Sequence, residues 1–223
     1  AFELGERIEK SINVAGVFKK PNYLEFEKVM KNLLLVQKKK YAAQKFEGSP
    51  SNGKLNVMGL ECARRDNFSF LVDVQQAYLT ALCVDSNKKA AKSEVSAAAK
   101  QLSSNQVPLA KLTSSKKMAR KLDDYANKQV HAELAKRMKL DPERVNEVPV
   151  VGDRVPYVIV QSVDPNRRSV EKRSRAPVTE RGETPAQVQS KKLKVDTDYY
   201  MESLQKVMTR VIEPVEGEQA TKN

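Results

Sequence analysis

The spacing of apolar residues changes from strand-like to helical near position 70 of this chain. Three strand-like regions precede that point, at residues 23–30, 33 to about 46, and 55–63. The pair Asn52–Gly53, just before the last segment, is a strong hairpin signal. From Leu71 onward the apolar residues recur at the spacing of an amphipathic helix. The pattern predicts an α+β chain, with a small antiparallel sheet in residues 1–70 and a mostly α-helical unit in 71–223.

The helical spacing is found in five segments, at residues 1–13, 71–84, 88–103, 115–139 and 196–215. Asp85 or Ser86 is the expected N-cap of the third helix, and Asp196 or Thr197 that of the last. Asp141–Pro142 is expected to end the fourth helix, because proline disfavours a helical residue before it.

Three further segments complete the organisation of the chain. Residues 152–160, GDRVPYVIV, predict a turn followed by a short buried strand. Residues 164–194 carry nine basic and four acidic side chains without an apolar period, which predicts a basic, partly ordered loop. The tail from about residue 216 is predicted to be disordered.

The charge of the chain favours a polyanionic partner. Forty Lys and Arg oppose 28 Asp and Glu, for a formal net charge of +12. Nucleic acid is the first candidate and an anionic membrane surface the second, while a soluble protein that is simply rich in lysine stays an alternative. No apolar run is long enough to predict a transmembrane helix. Two cysteines and one histidine are too few for a structural zinc site and suit a reducing compartment.

Residues 33–43, LLLVQKKKYAA, pass from an apolar run into three lysines with no loop signal between them. We predict one strand that continues through the lysines, with Lys38 and Lys40 on one face and Lys39 on the other. Arg64 and Arg65 follow the returning strand, so the two basic clusters are expected to lie close together. Such a set of long cations on a rigid scaffold suits a phosphate backbone. The scarcity of aromatic residues favours duplex over single-stranded nucleic acid.

The sequence contains few candidates for catalysis. His131 is the only histidine and is expected to be a packed or surface residue of a helix. Asp196 and Asp198 precede a helix, where capping explains them without a metal ion. Glu25 and Glu27 share one face of a predicted strand. They form either a solvated strand face or a pair of carboxylates near the metal ions of a phosphoryl-transfer site.

Six motifs, taken in order, resemble the C-terminal part of family B DNA polymerases, including polymerase delta and the polymerases of large DNA viruses. They are LEFEKV, LLLVQKKKYA, GLECARRDN, DYANKQVHAELAKRM, GDRVPYVIV and DTDYYMESL. KKKY matches the family's Lys-Lys-Arg-Tyr motif, with Lys40 in place of arginine. The similarity runs from residue 1 to about 216. The long basic loop and the lack of a cysteine-rich tail depart from polymerase delta and favour a viral or shortened relative.

The resemblance implies that residues 1–70 complete a polymerase palm and that 71–223 form the thumb. Lys38, Lys39 and Tyr41 would line the minor groove at the primer terminus, where base-edge acceptors occur in every base pair. Glu25 and Glu27 would stand near the metal ions of the palm. The resemblance also implies contacts to the primer strand by Glu61, Arg64 and Arg65. It implies that the thumb grips the duplex through Lys116, Lys117, Arg120 and Lys128.

The implied function is that of a fragment of a DNA-directed DNA polymerase that positions the primer–template duplex. The catalytic aspartates and the Mg²⁺ ions that they bind would belong to segments that precede Ala1, so the fragment is expected to be inactive alone. The implied partners are primer–template DNA, a deoxynucleoside triphosphate in the parent enzyme and a processivity factor, in the nucleus or a viral factory. The alternatives are a non-catalytic basic duplex-binding protein and an interaction module.

Overall fold

The computed structural model describes residues 1–161 and 176–217. Its first part contains one helix and a three-stranded antiparallel sheet in the order β1-β2-β3. The bounds of these elements are Phe2–Val14 for α1, Val29–Gln37 for β1, Lys40–Phe46 for β2 and Lys54–Met58 for β3. The predicted hairpin is confirmed, because the connection that contains Asn52–Gly53 joins β2 to the antiparallel β3.

The strand predicted at residues 23–30 is wrong for most of its length, since β1 begins only at Val29. Residues 23–28 form an extended segment that packs along α1. The backbone N–H of Leu24 donates to Asn13 Oδ1 at 2.8 Å, and that of Phe26 to Glu9 Oε2 at 2.7 Å. Side chains of a helix therefore satisfy the backbone groups that a neighbouring strand was expected to satisfy. The phenyl ring of Phe26 packs edge-on against Phe2, with 5.5 Å between the ring centroids.

The lysine run is a turn between two strands and not the continuation of one, which corrects the prediction. β1 ends at Gln37, β2 begins at Lys40, and these two residues face each other across the hairpin. Lys39 adopts a φ of +63°, which places it in the left-handed region. Turns of this kind are usually marked by Gly, Asn or Asp, and the run contains none of them. Leu33 and Leu35 are exposed and only Leu34 is buried, so the apolar run is not a fully buried strand.

Within the described residues, the second part combines six α-helices with a second antiparallel sheet, β4-β5-β6. The first five are α2 Ser69–Leu79, α3 Lys88–Ser103, α4 Leu109–Leu112, α5 Val130–Leu140 and α6 Pro185–Ser190. They are followed by α7, Thr197–Glu216. The strands are β4 Ser114–Lys117, β5 Arg154–Ile159 and β6 Gly182–Glu183. A π-helical stretch, Thr80–Val84, extends α2 to the end of the predicted helix.

The long helix predicted over residues 115–139 is wrong in its first half. Residues Ser114–Lys117 pair with β5 as a strand, and only Val130–Leu140 is α-helical. Met118, Leu122 and Tyr125 have the spacing of a helix face, yet an irregular segment brings them to a small core beside β5. Pairing with β5 therefore overrides the local period. The helix ends at Leu140, before Asp141–Pro142, as predicted.

One smaller prediction needs correction and two are confirmed. The N-cap of α3 is Asn87, whose side chain accepts from the Ala90 N–H, and not Asp85 or Ser86. Asp196 caps α7 as predicted. The strand expected in residues 152–160 is β5, with Val155, Val158 and Ile159 buried.

The basic segment 164–194 is only partly described. Residues 162–175 lie outside the described residues, and so does the tail at 218–223, for which disorder stays a prediction. Residues 176–194 contain a 3-10 turn, β6 and α6, so this portion is not an unstructured loop. Arg181 within it is buried.

The main hydrophobic core joins the first sheet to the helices and to β5. It includes large side chains from both sides of position 70, among them Leu60, Phe68, Tyr78, Tyr200 and Met208. The predicted α+β class is confirmed, while the division into two units near residue 70 stays a prediction. Within residues 1–161 and 176–217, no helix is long and apolar enough to cross a membrane.

Candidate nucleic-acid interface

A cleft of about 400 Å³ lies where the start of β2, residues 61–68, β4 and α7 meet. Cationic side chains reach its lining from each of these four segments. They are Lys40, Arg64, Lys116, Lys206 and Arg210. Because the four segments are held by sheet pairing or by the main core, these cations are brought together on a rigid scaffold rather than on a free loop.

Hydroxyl and amide groups complete the lining, supplied by Asn67, Ser114, Tyr157, Tyr199 and Ser203. Burial raises the pKa of Tyr157 to about 12 and raises the pKa of Tyr199 as well. Both phenols, like tyrosines in general, are protonated at neutral pH and can donate a hydrogen bond. Cations together with neutral donors form the donor set that suits phosphate oxygens.

Two carboxylates also line the cleft, and each is paired with an arginine. The Arg64 guanidinium donates to both carboxylate oxygens of Asp66, from Nε at 3.1 Å and from Nη2 at 2.8 Å. The hydrogen bond with Asp66 raises the pKa of Arg64. Glu61 Oε1 accepts from Arg210 Nη1 at 2.8 Å. The pairing leaves the cleft with an excess of positive charge.

The predicted residues that follow the first sheet are tied to the second one. Arg154 of β5 donates through Nη2 to the backbone carbonyl oxygen of Arg65 at 2.9 Å and through Nε to Ser115 Oγ at 3.1 Å. Arg65 itself is exposed. This bridge holds the Arg64–Arg65 segment beside β4, which carries Lys116.

The structure brings only some of the predicted site residues together. Lys40, Glu61, Arg64 and Lys116 line the cleft. Lys38 and Lys39 are exposed at the tip of the β1–β2 turn, and Tyr41 is half-buried in β2.

Three predicted residues lie away from the cleft lining. Lys117 is exposed at the end of β4. The Arg120 guanidinium sits over the Tyr125 ring, 5.8 Å from its centroid. Lys128 pairs with Glu180 at 3.2 Å. Their predicted contacts to DNA stay predictions.

Sequence reasoning missed the wall of the cleft that α7 provides. Tyr199, Ser203, Lys206 and Arg210 follow one another at intervals of four, three and four positions, which places them on one helix face. That polar stripe could have been read from the sequence. Its position opposite Glu61 and Arg64 could not.

Glu25 and Glu27 are exposed on the extended segment beside α1, and Glu27 pairs with Lys28 at 2.5 Å. Within the described residues, no group of three or more His, Cys, Asp or Glu side chains could hold a metal ion.

A family model for DNA polymerase family B matches residues 1–215. The chain belongs to DNA polymerase family B. The resemblance drawn from the six sequence motifs is thereby confirmed.

Two relatives from animals illustrate the similarity. The DNA polymerase delta catalytic subunit of Bos taurus is 37% identical over 208 residues, covering 92% of this chain and 18% of that protein. The subunit of the same name from Caenorhabditis elegans is 33% identical over 223 residues, covering 100% of this chain and 19% of that protein. The chain thus spans less than a fifth of the length of either relative.

A solved family B DNA polymerase from the archaeon Pyrobaculum calidifontis shares the fold. The superposition has a TM-score of 0.58 at 22% sequence identity, and it covers 81% of this chain and 21% of the archaeal chain. At this sequence identity the match shows a similar fold and nothing further.

Proposed function

We propose that this chain is part of a DNA-directed DNA polymerase and that it positions the primer–template duplex. The observation that carries the proposal is the cleft in which Lys40, Arg64, Lys116, Lys206 and Arg210 meet. Polymerases must hold DNA of any sequence, and contacts to the phosphate backbone do so without reading bases. The polymerase delta relatives support the activity of the parent protein.

The lysine turn has a second role in this proposal. Lys38 and Lys39 project from the tip of the β1–β2 hairpin, next to Lys40 in the cleft. Lys39 would donate to minor-groove acceptors at the primer terminus, with Lys38 and Tyr41 beside it. Such acceptors are present in every base pair, so this contact would test pairing geometry without reading sequence.

The chemistry itself is assigned to other parts of the parent enzyme. The parent would transfer a nucleotidyl group from a deoxynucleoside triphosphate to the primer 3′-hydroxyl, with Mg²⁺ supplying Lewis-acid catalysis. In this proposal the chain binds and orients the duplex only, and we expect it to be inactive alone. A nuclear location and a processivity factor as partner belong to the same proposal, and a viral origin stays open within it.

A titration of the 223-residue chain with fluorescent duplex DNA over a range of salt concentrations tests the proposal. We expect the logarithm of the affinity to fall linearly with the logarithm of the salt concentration. Lys40→Ala should reduce the magnitude of the slope by about one. Lys89→Ala is the matched control, because Lys89 is exposed on α3 outside the cleft lining.

Three outcomes would each contradict part of this proposal. A negligible salt slope for the unsubstituted chain would remove duplex positioning altogether. Primer extension by the isolated chain with Mg²⁺ and deoxynucleoside triphosphates would show that bond formation does not need the rest of the parent enzyme. Binding without any effect of Lys40→Ala would favour a basic duplex-binding protein that uses another surface.

A further inference from the structure

Helix α7 presents a polar face to the cleft through Tyr199, Ser203, Lys206 and Arg210. The adjacent face is anchored in the main core by Leu204, Met208 and Val211. The helix therefore cannot rotate about its axis without exposing the apolar side chains. Its polar face is held towards Glu61 and Arg64.

Glu61 lies on a chain of hydrogen bonds that starts in the core. Gln75 of α2 is fully buried, and its Oε1 accepts from the Cys62 N–H at 2.6 Å. Gln75 Nε2 donates to Glu61 Oε2 at 3.2 Å, and the other carboxylate oxygen, Oε1, accepts from Arg210 at 2.8 Å. The Glu61 side chain is only 12% exposed, whereas that of Arg210 is 39% exposed. The carboxylate is thus the less exposed support, and the guanidinium is the more accessible group of the pair.

Glu61 was expected to hold the primer strand, but here its carboxylate supports an arginine instead. A carboxylate repels phosphate, and this one is already occupied by two donors. A guanidinium carries five N–H donors in a planar fork, so the bond to Glu61 leaves capacity for a phosphate oxygen. Holding the arginine in one conformation reduces the conformational entropy lost when a ligand binds.

We propose that Arg210 binds a backbone phosphate of the duplex and that Glu61, anchored by Gln75, is the positioning residue for its guanidinium. Lys206, one turn earlier on the same face, adds a second phosphate contact. The inference rests on the proposed function, and it assigns the duplex contact of the cleft to α7 and not to Glu61.

The two possible roles of Glu61 predict changes of opposite sign. If Glu61 contributes only charge, Glu61→Gln removes a negative group from beside the phosphates and binding becomes tighter. If Glu61 positions Arg210, the same substitution loosens the guanidinium, and binding becomes weaker although the net positive charge has increased. The sign of the change in affinity therefore decides between the roles.

The experiment measures duplex affinity and its salt slope for the 223-residue chain and its variants, with far-UV circular dichroism as the check of folding. We expect Glu61→Gln to weaken binding about three- to tenfold, with the slope retained. Arg210→Ala should weaken binding about tenfold and reduce the slope by about one. Glu61→Gln in the Arg210→Ala background should not weaken binding further and should leave it unchanged or slightly tighter, since no guanidinium is left to position.

Two further variants keep the test decisive. Asp73→Asn removes a negative charge from an exposed residue of α2 that pairs with Lys111, and it should leave affinity unchanged or slightly improved. Arg210→Lys keeps the positive charge but loses the planar fork of N–H donors, so it should weaken binding while retaining the salt slope. This variant still tests the arginine contact if Glu61→Gln fails to fold.

Equal or tighter binding by folded Glu61→Gln would overturn the positioning role, and an unchanged salt slope in Arg210→Ala would overturn the phosphate contact. Loss of salt-dependent binding in the unsubstituted chain would instead refute the proposed function on which the inference rests.

Discussion

The backbone carbonyl oxygen of Lys39 lies against Gly59, on the side where any other residue would carry a Cβ atom. Gly59 also has a φ of +67°, a conformation that glycine adopts readily. The tip of the lysine turn and the chain leaving β3 therefore pack backbone to backbone. This contact joins the KKKY motif to the first residue of GLECARRDN.

Gly59→Ala should destabilise the protein by about 1–3 kcal/mol, because the new methyl group collides with the Lys39 carbonyl in addition to the cost of the positive φ. Urea unfolding followed by circular dichroism measures the loss. Gly48→Ala is a matched control, since Gly48 has a φ of +68° but nothing within 4 Å of its Cβ position. Equal losses in the two variants would show that the contact with Lys39 contributes nothing.

The buried ion pair between Arg181 and Asp196 connects the segment before β6 to the start of α7. Asp196→Asn should retain the N-cap, since asparagine caps helices well, but it leaves the Arg181 charge buried and uncompensated. We expect a loss of about 3–5 kcal/mol in the free energy of unfolding.

The double variant Asp196→Asn/Arg181→Met removes both charges and should recover part of this loss. Denaturant midpoints of the single and double variants provide the measurement. If Asp196→Asn is as stable as the unsubstituted chain, the buried Arg181 guanidinium does not need a charged partner.

Because of His131, we expect the free energy of unfolding to decrease as the pH is lowered. Burial, assisted by the charge of Lys116, lowers the pKa of His131 from 6.5 to about 4. Between these values the unfolded chain takes up a proton that the folded chain does not, so stability falls as the pH falls. Over the whole window the loss should be on the order of 2–3 kcal/mol.

Urea unfolding at several pH values between 7 and 4 tests this expectation. In the folded chain His131 Nε2 lies 3.3 Å from the Tyr125 hydroxyl, and a glutamine can keep that contact without titrating. His131→Gln should therefore show a flatter pH dependence than the unsubstituted chain. Parallel curves for the two proteins would assign the acid sensitivity to other groups.

Local pattern was sufficient for several elements of the fold. The periods of α2, α3 and α7 and the Asn52–Gly53 hairpin arise from interactions within short segments, so the sequence predicts them directly. The helical spacing of apolar residues led to a wrong prediction where the segment pairs with a distant strand instead. Ser114–Lys117 pairs with β5, 37 or more positions further along the chain, and this pairing overrides the helical spacing around it.

Some residues of the candidate site could likewise be predicted from the sequence, and others could not. Lys40, Glu61, Arg64 and Lys116 were identified because each belongs to a basic or recognisable motif in the sequence. The roles of Lys38 and Lys39 stay predictions, and the turn that carries them was not predicted, because the run has no Gly, Asn or Asp to indicate it.

The net charge, the order of the motifs and the family follow from the residues alone, because they depend on composition and on short segments. The pairing of Glu61 with Arg210 joins residues 149 positions apart, and no local signal predicts it. The packing of Leu204, Val207 and Met208 into the main core sets which face of α7 meets the cleft. Whether the basic residues act together was therefore decided by tertiary packing, since only the core brings their separate segments to one place.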